Sequence, residues 1–249
     1  KVLLHIQTLT MIESVISARN MAIMYYMGKH TVHTFPLFTP SRTSIDRGRN
    51  EAAKLAMGME CDYLWFLDDD MLVDPPVLDS MIAADRDIVM AHSYIRGYPY
   101  RPMCFKWKSM DKDMPEVEYF EKDEDLYALK DSNGYCEVAA VGFTCALVKV
   151  SLLRKMNPPF FITNPHGGGT EDIYFCLRAK FEVKEDVTVA VDLNYPTTHL
   201  GEREYINFAT VPHLRKYHEA LRPELVVKED PRGGLSGDRT EEYNRECLE

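Results

Sequence analysis

The 249-residue sequence predicts an α/β fold in which a mostly parallel central sheet is flanked by helices. Short apolar segments alternate with segments of helical periodicity along the first half of the chain. Hydrophobic residues make up 45% of the sequence, which is enough to bury a substantial core. The length suits one domain, which we place at residues 1–222, followed by an acidic and flexible tail at residues 223–249.

The first half of the chain alternates between predicted strands and predicted helices. Apolar runs predict the strands, and apolar residues at helical spacing predict the helices. Pro75 and Pro76 favour the first turn of the third helix, and Pro36 limits the second strand to a short or edge position. The predicted strands are residues 2–7, 31–38, 62–67 and 87–92, and the predicted helices are residues 11–28, residues 44–59 and a segment that begins at Pro75.

The second half of the chain is less regular. Residues 137–147 form an apolar run that predicts one buried strand, and residues 187–193 predict a late strand. Helices are predicted near residues 151–156 and at residues 170–180. Residues 111–131 are acidic and polar, which indicates a surface excursion.

The charge balance and the cysteines bear on the class of protein. The 29 basic and 39 acidic residues give a formal net charge of −10, which weakens the interpretation as a general DNA-coating protein, although positive charge can be local.

The six cysteines contain no C-x-x-C pair, so we expect buried free thiols in a reducing, cytoplasmic compartment. No apolar run approaches the ~20 residues of a membrane span, and no signal peptide is visible, so no transmembrane segment is expected.

Three consecutive acids, Asp68, Asp69 and Asp70, follow the predicted strand at residues 62–67. Adjacent carboxylates repel one another and lower stability unless a cation compensates them. Ligands of open α/β sheets bind at the carboxyl ends of strands, and strand alternation places Asp68 and Asp70 on the same side. Carboxylate oxygens suit Mg²⁺ or Mn²⁺. The alternative is a solvated acidic turn before Pro75.

A second acidic pair follows a run of three glycines. Residues 167–169 precede Thr170, Glu171 and Asp172 at the predicted start of a helix. One of the two acids is a candidate catalytic base, and the glycines would let the loop close over a ligand. The alternative is helix capping, with Thr170 as the N-cap and both acids complementing the helix dipole.

A histidine and a group of arginines are further candidate ligands. His199 follows the late strand at a position that could return to the functional edge of the sheet, and imidazole is acceptable to Mn²⁺. A lone histidine is more often structural. Arg42, Arg47 and Arg49 surround the start of the second helix and could bind phosphate together with the helix N-terminus, or form a solvated basic turn.

Together these residues resemble a metal-dependent glycosyltransferase of the GT-A (Rossmann-like) fold, similar to the family-2-like and phage-type members. The resemblance runs from residue 2 to residue 201, and its parts occur in the family's order. Phe143 and Thr144 stand where the family's second strand usually has Thr and Gly. The matching segments are the strand end at residues 7–10, the Arg-Asn helix start at 46–50, the D-x-D motif at 68–70, the strand at 137–148, the Glu-Asp helix start at 171–172 and the late histidine at 199.

The resemblance implies a divalent metal, Mn²⁺ or Mg²⁺, and a nucleotide-sugar donor, with a UDP-sugar as the default. It implies Asp70 and His199 as metal ligands, with Asp68 bound directly or through water. Asp69 would contact the ribose and Arg47 a phosphate. The implied donor contacts are Gln7, Thr8, Arg47, Asp68 and Asp69.

The resemblance also implies a base that activates the acceptor hydroxyl. Asp172 is the first candidate and Glu171 the second, by similarity to inverting members of the family. A base in line opposite the leaving group would give inversion of configuration. The sequence alone leaves retention open.

The acceptor is expected to bind at residues 94–108, from Tyr94 to Lys108. This segment interleaves aromatic residues with four basic residues and contains no acid. Aromatic faces stack on sugar rings or bases, and basic groups hold phosphates. Both a glycan and 5-hydroxymethylcytosine in DNA fit, since phage-type members of the family include enzymes that glycosylate that base.

Two other classes of protein share some of these features. A nucleotidyltransferase would use a similar sheet and similar acids, but it usually has a Gly-rich basic loop after the first strand, where residues 7–13 contain no Gly, Lys or Arg. If the protein were a non-catalytic module that binds sugar or nucleic acid, the order of the acidic motifs and His199 along the chain would have no functional explanation.

Overall fold

The computed structural model describes residues 1–7, 37–38, 44–110, 115–163, 170–183, 186–200 and 205–221, and the structural statements below refer to these residues. The predicted helix at residues 11–28, most of the predicted strand at 31–38, the glycines at 167–169 and the tail at 223–249 lie outside them. Thr8 and Arg42 also lie outside the described residues.

The elements of the described residues follow the predicted alternation. The helices are α1 Ile45–Gly58, α2 Val77–Ala83, α3 Asp123–Tyr127, α4 Val150–Leu153, α5 Glu171–Glu182 and α6 Val211–Leu221. The strands are β1 Val2–Gln7, β2 Leu37–Phe38, β3 Tyr63–Asp68, β4 Met71–Leu72, β5 Ile88–Ala91, β6 Cys104–Ser109, β7 Glu116–Tyr119, β8 Tyr135–Glu137, β9 Ala140–Val141, β10 Cys145–Lys149, β11 Val189–Asp192, β12 Thr198–Leu200 and β13 Tyr205–Ile206.

A seven-stranded sheet of order β2-β1-β3-β10-β5-β11-β8 forms the centre of the molecule. Strands β2, β1, β3, β5 and β11 run in one direction, and β10 and β8 run in the other. The predicted α/β fold with a mostly parallel sheet flanked by helices is therefore confirmed. The carboxyl ends of β1, β3, β5 and β11 lie at one edge, so side chains that follow these strands are brought together.

Two small sheets extend this edge. One has the order β13-β12-β4, and the other has the order β7-β6-β9. Only Asp69 and Asp70 separate the end of β3 from the start of β4, so the chain passes from the central sheet into the first small sheet at these two residues. Strand β12 pairs with β4 and places His199 opposite Met71.

The sheet is buried on both faces, which explains why β3 is apolar without alternation. Leu64 and Phe66 pack into the core cluster beneath α1 and α5. Trp65 and Leu67 pack into the cluster beneath α2. Each fully buried side chain of this size contributes about 1.5–3 kcal/mol relative to exposure, so β3 is strongly held on both faces.

The prediction of one strand at residues 137–147 is wrong. The structure divides this apolar run into β8, β9 and the start of β10, with a turn at residues 142–144. Strand β9 joins the β7-β6-β9 sheet, and Gly142, which follows it, donates its N–H to the Met103 carbonyl at 2.8 Å before the chain returns to the central sheet at β10. Hydrophobicity does not reveal the break because every residue at 138–148 is buried.

Other segments also differ from the sequence-based prediction. The described part of the segment expected as a surface excursion, residues 115–131, lies at the surface except for the buried Phe120 and Leu126, but it also contains β7 and α3, which were not predicted, and β7 pairs with β6. Helix α6 was not predicted. The helix expected at residues 151–156 is shorter, since α4 is Val150–Leu153.

The predicted burial of free thiols is confirmed for the five cysteines that the structure describes. Cys61, Cys104, Cys136, Cys145 and Cys176 are buried and form no disulfide with one another. Burial raises the pKa of both Cys145 and Cys176 to about 12, so these thiols stay protonated at neutral pH. Among the described residues, no helix is long and apolar enough to cross a bilayer.

Candidate active site

Four segments meet at the carboxyl edge of the central sheet. Strand β3 ends at Asp68, whose N–H donates to the Thr144 carbonyl in the 142–144 turn at 2.8 Å. Helix α1 contributes Arg49 from its first turns, and α5 begins at the same place with Glu171 and Asp172. The predicted D-x-D and Glu-Asp motifs therefore lie together although about a hundred residues separate them.

Arg49 is the centre of this arrangement and is only 4% exposed. Its Nη1 lies 2.5 Å from Glu171 Oε1 and 3.9 Å from Asp172 Oδ2, and its Nη2 lies 3.7 Å from Asp68 Oδ1. The guanidinium carbon also lies over the Phe66 and Phe143 rings, at 5.8 and 5.5 Å from their centroids. One buried cation thus faces three carboxylates and two aromatic rings.

The positive charge of Arg49 only partly offsets the effect of burial on two of these carboxylates, because their pKa values remain raised. Burial raises the pKa of Asp68 to about 7, against the opposing charge of Arg49. Burial also raises the pKa of Glu171, which Arg49 opposes and the neighbouring Asp172 reinforces. Perturbed carboxylates in one cluster are typical of functional sites.

Asp172 is held in one orientation from two directions. Its Oδ2 accepts the Phe143 N–H at 3.2 Å, and its Oδ1 accepts the Ile173 N–H at 2.8 Å and the Thr170 hydroxyl. Thr170 is the N-cap residue of α5, but its hydroxyl bonds to Asp172 rather than to a free helix N–H. The capping interpretation therefore describes the backbone position of Thr170 and does not account for the two buried acids.

Asp70 and His199 form a second group next to the first. His199 Nε2 lies 3.3 Å from Asp70 Oδ2, and its Nδ1 lies 2.8 Å from the Tyr94 carbonyl. A carbonyl oxygen only accepts, so Nδ1 carries a proton in this contact, and Nε2 is the ring nitrogen that faces Asp70. Burial acts to raise the pKa of Asp70, but the hydrogen bond with His199 and the charge of Arg96 outweigh it and lower the pKa.

This second group fits a divalent cation. Two cis ligands at about 2.1 Å from an octahedral ion lie about 3 Å apart, close to the separation of Asp70 Oδ2 and His199 Nε2. A histidine whose other ring nitrogen donates to a backbone carbonyl is the usual arrangement of a metal-ligating imidazole. Across the part of the chain that the structure describes, no group of three His, Cys, Asp or Glu side chains is placed to hold an ion. Water or phosphate oxygens would therefore complete the coordination by Asp70 and His199, and in this arrangement Asp68, which faces Arg49, would reach the ion through water.

The remaining predicted site residues are placed as follows. Gln7 ends β1 and pairs in register with Asp68, so the strand end lies at the site edge. Asp69 is buried in the turn between β3 and β4. Arg47 has a side chain that is 73% exposed and pairs with Glu51 along α1, so the structure does not bring it into the carboxylate cluster.

Sequence reasoning gave Arg47 the role of ligand and missed the central position of Arg49. The signal that would have found it is helical periodicity. Arg49 lies three, four and seven residues before Ala52, Ala53 and Ala56, all buried, and so shares their inward face. Phe143 was noted only as a departure from the family pattern, but its ring packs against Phe66 and its main chain contacts Asp172.

The segment from residue 94 to residue 108 does not present free positive charge. Each of its four basic side chains pairs with a carboxylate. The pairs are Arg96–Asp70 at 3.1 Å, Arg101–Glu121 at 3.0 Å, Lys106–Glu118 at 3.2 Å and Lys108–Glu116 at 2.8 Å. Its aromatic residues Tyr94, Tyr100 and Phe105 are buried, while Tyr98 and Trp107 are partly exposed.

Replacement of Arg49 by methionine is expected to lower the free energy of unfolding by about 3–5 kcal/mol, because buried carboxylates lose their cation. Urea unfolding followed by the fluorescence of Trp65 and Trp107 measures this change. Arg47→Met on the same helix is the matched control, and its exposed pair with Glu51 predicts a change within about 0.5 kcal/mol. Equal effects of the two substitutions would contradict the central role of Arg49.

The fold of this chain is similar to the folds of several solved structures. No family model and no curated protein matches the chain. The structure is similar to that of A197 from STIV, with 18% identity over 83% of this chain and 93% of that chain and a TM-score of 0.50. It is also similar to the mannosyltransferase PcManGT from Pyrobaculum calidifontis in complex with GDP-Man and Mn²⁺, with 13% identity over 93% of this chain and 66% of that chain and a TM-score of 0.43. A glycosyltransferase involved in glycosylation of the major capsid of PBCV-1 is similar at 10% identity over 76% of this chain and 81% of that chain, with a TM-score of 0.38. At these identities the likeness concerns the fold alone.

Proposed function

We propose that this protein is a metal-dependent glycosyltransferase that moves a sugar from a nucleotide-sugar donor to an acceptor hydroxyl. The observation that carries the proposal is the Asp70–His199 pair, in which the Nδ1–H bond to the Tyr94 carbonyl directs Nε2 at the Asp70 carboxylate in the turn after β3. The buried Asp68, Glu171 and Asp172 lie beside it around Arg49. A binding module would have no need of this concentration of buried acids, which lowers stability.

Asp70 and His199 would hold the ion, with Asp68 bound directly or through water. Mn²⁺ suits this mixed oxygen and nitrogen set better than Mg²⁺, which prefers oxygen ligands. When bound, the ion supplies the positive charge that stabilises a departing diphosphate. Asp69, Gln7 and Thr8 would contact the nucleoside, and a UDP-sugar is the proposed donor on the strength of the resemblance.

The two arginines of α1 would have different tasks. Arg49 is already committed to three carboxylates, so its proposed task is to keep Asp68, Glu171 and Asp172 close together in one cluster. Arg47 is exposed near the helix start and is free to exchange Glu51 for a donor phosphate at little cost, since exposed ion pairs contribute little to stability.

Asp172 is proposed as the base that takes the proton from the acceptor hydroxyl. Glu171 is the weaker candidate because it is held by Arg49 at 2.5 Å, whereas Asp172 is 3.9 Å from the same nitrogen. The hydrogen bonds from Phe143, Ile173 and Thr170 orient the Asp172 carboxylate, and Oδ2, which accepts one of the three, has a second lone pair for the acceptor. Proposed inversion follows if the acceptor enters opposite the leaving group.

A glycan is the proposed acceptor in preference to hydroxymethylated DNA. A DNA-binding surface needs unpaired Lys and Arg side chains to contact phosphates. The four basic side chains of residues 94–108 are each paired with a carboxylate, and the formal net charge is −10. Partly exposed Tyr98 and Trp107 would offer ring faces to a sugar.

Nucleotidyl transfer is the main competing activity, because the same acids and the same ion could serve it. The two reactions release different products. A glycosyltransferase converts a nucleotide sugar to a nucleoside diphosphate, while a nucleotidyltransferase joins a nucleoside triphosphate to a sugar phosphate and releases pyrophosphate.

Incubation with a panel of UDP-, GDP- and dTDP-sugars in Mn²⁺, Mg²⁺ or EDTA tests the proposal. We expect slow release of nucleoside diphosphate from one donor in Mn²⁺, less in Mg²⁺ and none in EDTA. Parallel assays with nucleoside triphosphates and sugar 1-phosphates monitor pyrophosphate.

Pyrophosphate release without donor hydrolysis would replace the proposal by nucleotidyl transfer. With neither product and no metal-dependent thermal shift with any donor, a binding module would be the better interpretation. Once the donor is known, glycans and hydroxymethylated DNA are compared as acceptors.

A further inference from the structure

Residues 94–102 form a closed loop, called here the 94–102 loop, that contacts the Asp70–His199 pair at two points. The Tyr94 carbonyl accepts the Nδ1–H of His199 at 2.8 Å, and Arg96 Nη1 lies 3.1 Å from Asp70 Oδ2. The ends of the loop pair through a bridge between Tyr94 and Pro102, and the Ile95 N–H donates to the Arg101 carbonyl at 3.0 Å. The loop is therefore closed by contacts between its own ends, and its position sets the position of the carbonyl that orients His199.

Helix α6 holds the far side of this loop through Arg215. The Arg215 Nε donates to the Pro99 carbonyl at 3.0 Å, and its Nη2 donates to the Tyr100 carbonyl at 2.8 Å. The Tyr100 hydroxyl contacts His218 Nε2 at 2.8 Å, one turn further along the helix. Two carbonyls bound by one planar guanidinium give a defined orientation, which a single ammonium group would not provide.

Arg215 also reaches the other end of the loop, through Asp123. Both Arg215 terminal nitrogens lie 3.4 Å from the Asp123 carboxylate, and the Tyr94 hydroxyl donates to Asp123 Oδ2 at 3.2 Å. Burial raises the pKa of the Tyr94 phenol, and so do its contact with Tyr127 and the charge of Asp123, so the group remains a donor. Tyr94 itself is only 1% exposed.

We propose that Arg215 is a positioning residue for the metal site: by holding the 94–102 loop and Asp123, it fixes the Tyr94 carbonyl that accepts the His199 Nδ1–H and thereby keeps Nε2 directed at the position of the ion beside Asp70. This inference rests on the proposed function, because it assigns the purpose of a residue that would touch neither donor nor acceptor. The helix that the sequence analysis did not predict thereby becomes part of the site.

The physical reason is the freedom of an unrestrained imidazole. The χ2 torsion of histidine, about the bond between Cβ and the ring, has a broad range of accessible angles, and neutral histidine exchanges between two tautomers. The hydrogen bond to the Tyr94 carbonyl selects one ring orientation and one tautomer together. Loss of such outer contacts lowers metal affinity by about 10–100-fold in metal sites generally.

The test uses the full chain with Arg215→Met, which removes the guanidinium and keeps most of the apolar stem. Chains labelled with ¹⁵N-histidine report the His199 tautomer by long-range ¹H–¹⁵N NMR without metal, with His199→Gln used for assignment. Mn²⁺ affinity is measured from the electron paramagnetic resonance signal of the free ion. We expect the Nδ1–H tautomer in the unsubstituted protein, a mixture of tautomers in Arg215→Met, and an Mn²⁺ dissociation constant raised by about 10–100-fold.

Lys216→Met, an exposed neighbour on α6, is the control and is expected to change neither readout. In the His199→Gln background, adding Arg215→Met is expected to weaken Mn²⁺ binding no further, since Arg215 acts through His199.

An unchanged tautomer together with unchanged Mn²⁺ affinity in Arg215→Met would overturn the inference. If the unsubstituted protein binds no Mn²⁺ while Arg215→Met still mixes the tautomers, the proposed function fails and the positioning by Arg215 stands. Should Arg215→Met not fold, Tyr94→Phe, which removes only the hydroxyl bond to Asp123, is measured in its place with the same criteria.

Discussion

Asp70→Ala is expected to lower donor turnover by about three orders of magnitude and to abolish its dependence on Mn²⁺. The substitution removes the carboxylate that lies 3.3 Å from His199 Nε2, and with it the main anionic ligand of the proposed site. Loss of Lewis-acid stabilisation is worth several kcal/mol in metal-dependent enzymes, and each ~1.4 kcal/mol is a factor of ten in rate. The measurement is the rate of nucleoside diphosphate release from the preferred donor across an Mn²⁺ titration.

Asp74→Ala is the matched control for this substitution. Asp74 is an exposed acid four residues further along the same segment, and its carbonyl accepts the Val77 N–H at 3.0 Å. Its replacement is expected to leave turnover within a factor of two or so, as for most surface positions. Turnover by folded Asp70→Ala that still responds to Mn²⁺ as before would show that the ion binds elsewhere or that the activity needs none.

Asp172→Asn is expected to lower the rate of sugar transfer by about 10²–10⁴-fold, which is the usual contribution of a general base. The amide cannot take the proton from the acceptor hydroxyl. Metal-dependent hydrolysis of the donor and Mn²⁺ affinity are expected to change little, because Asp172 lies in the Arg49 cluster and not in the Asp70–His199 pair. The comparison of transfer with hydrolysis therefore separates the role of the base from the role of the metal ligands.

Glu171→Gln is the companion variant for this prediction. Its side chain is bound to Arg49, so its loss is expected to act on stability more than on transfer. The amide of Asp172→Asn would also meet the Phe143 N–H, so thermal unfolding of both variants is recorded beside the kinetics. A larger fall in transfer for Glu171→Gln than for an equally folded Asp172→Asn would reverse the assignment of the base.

The strands of the sheet and the place of the acidic motif were predictable from sequence. Residues 63–67 are apolar without alternation because both faces of β3 are buried, and the run ends at Asp68, where the strand reaches the edge of the sheet and faces Arg49. The same logic located β1, β5 and β11. These elements depend on local patterns of burial that the order of residues carries directly.

The long-range contacts were not predictable in the same way. Nothing local distinguishes Arg47 from Arg49 as a site residue except the helical face each occupies, and that face matters only once β3 and α5 are packed against it. The turn at residues 142–144 lies within a continuous apolar run, so only the pairing of β9 with β6 reveals it. Pairing of the basic residues at 94–108 with acids at 116–121 likewise appears only when β6 and β7 form a sheet.

The sequence by itself determined the alternation of strands and helices, and it placed Asp68, Asp70, Asp172 and His199 at the ends of elements that open on one edge. Only the tertiary structure decided which of these acids share a cation, which turn their oxygens towards His199, and which helix holds the loop behind it. The physical reason is the separation along the chain of the groups on which each feature depends. Burial and helical or strand periodicity act over a few residues, whereas ion pairs, tautomers and loop positions depend on groups that are distant in the chain and meet only in the folded molecule.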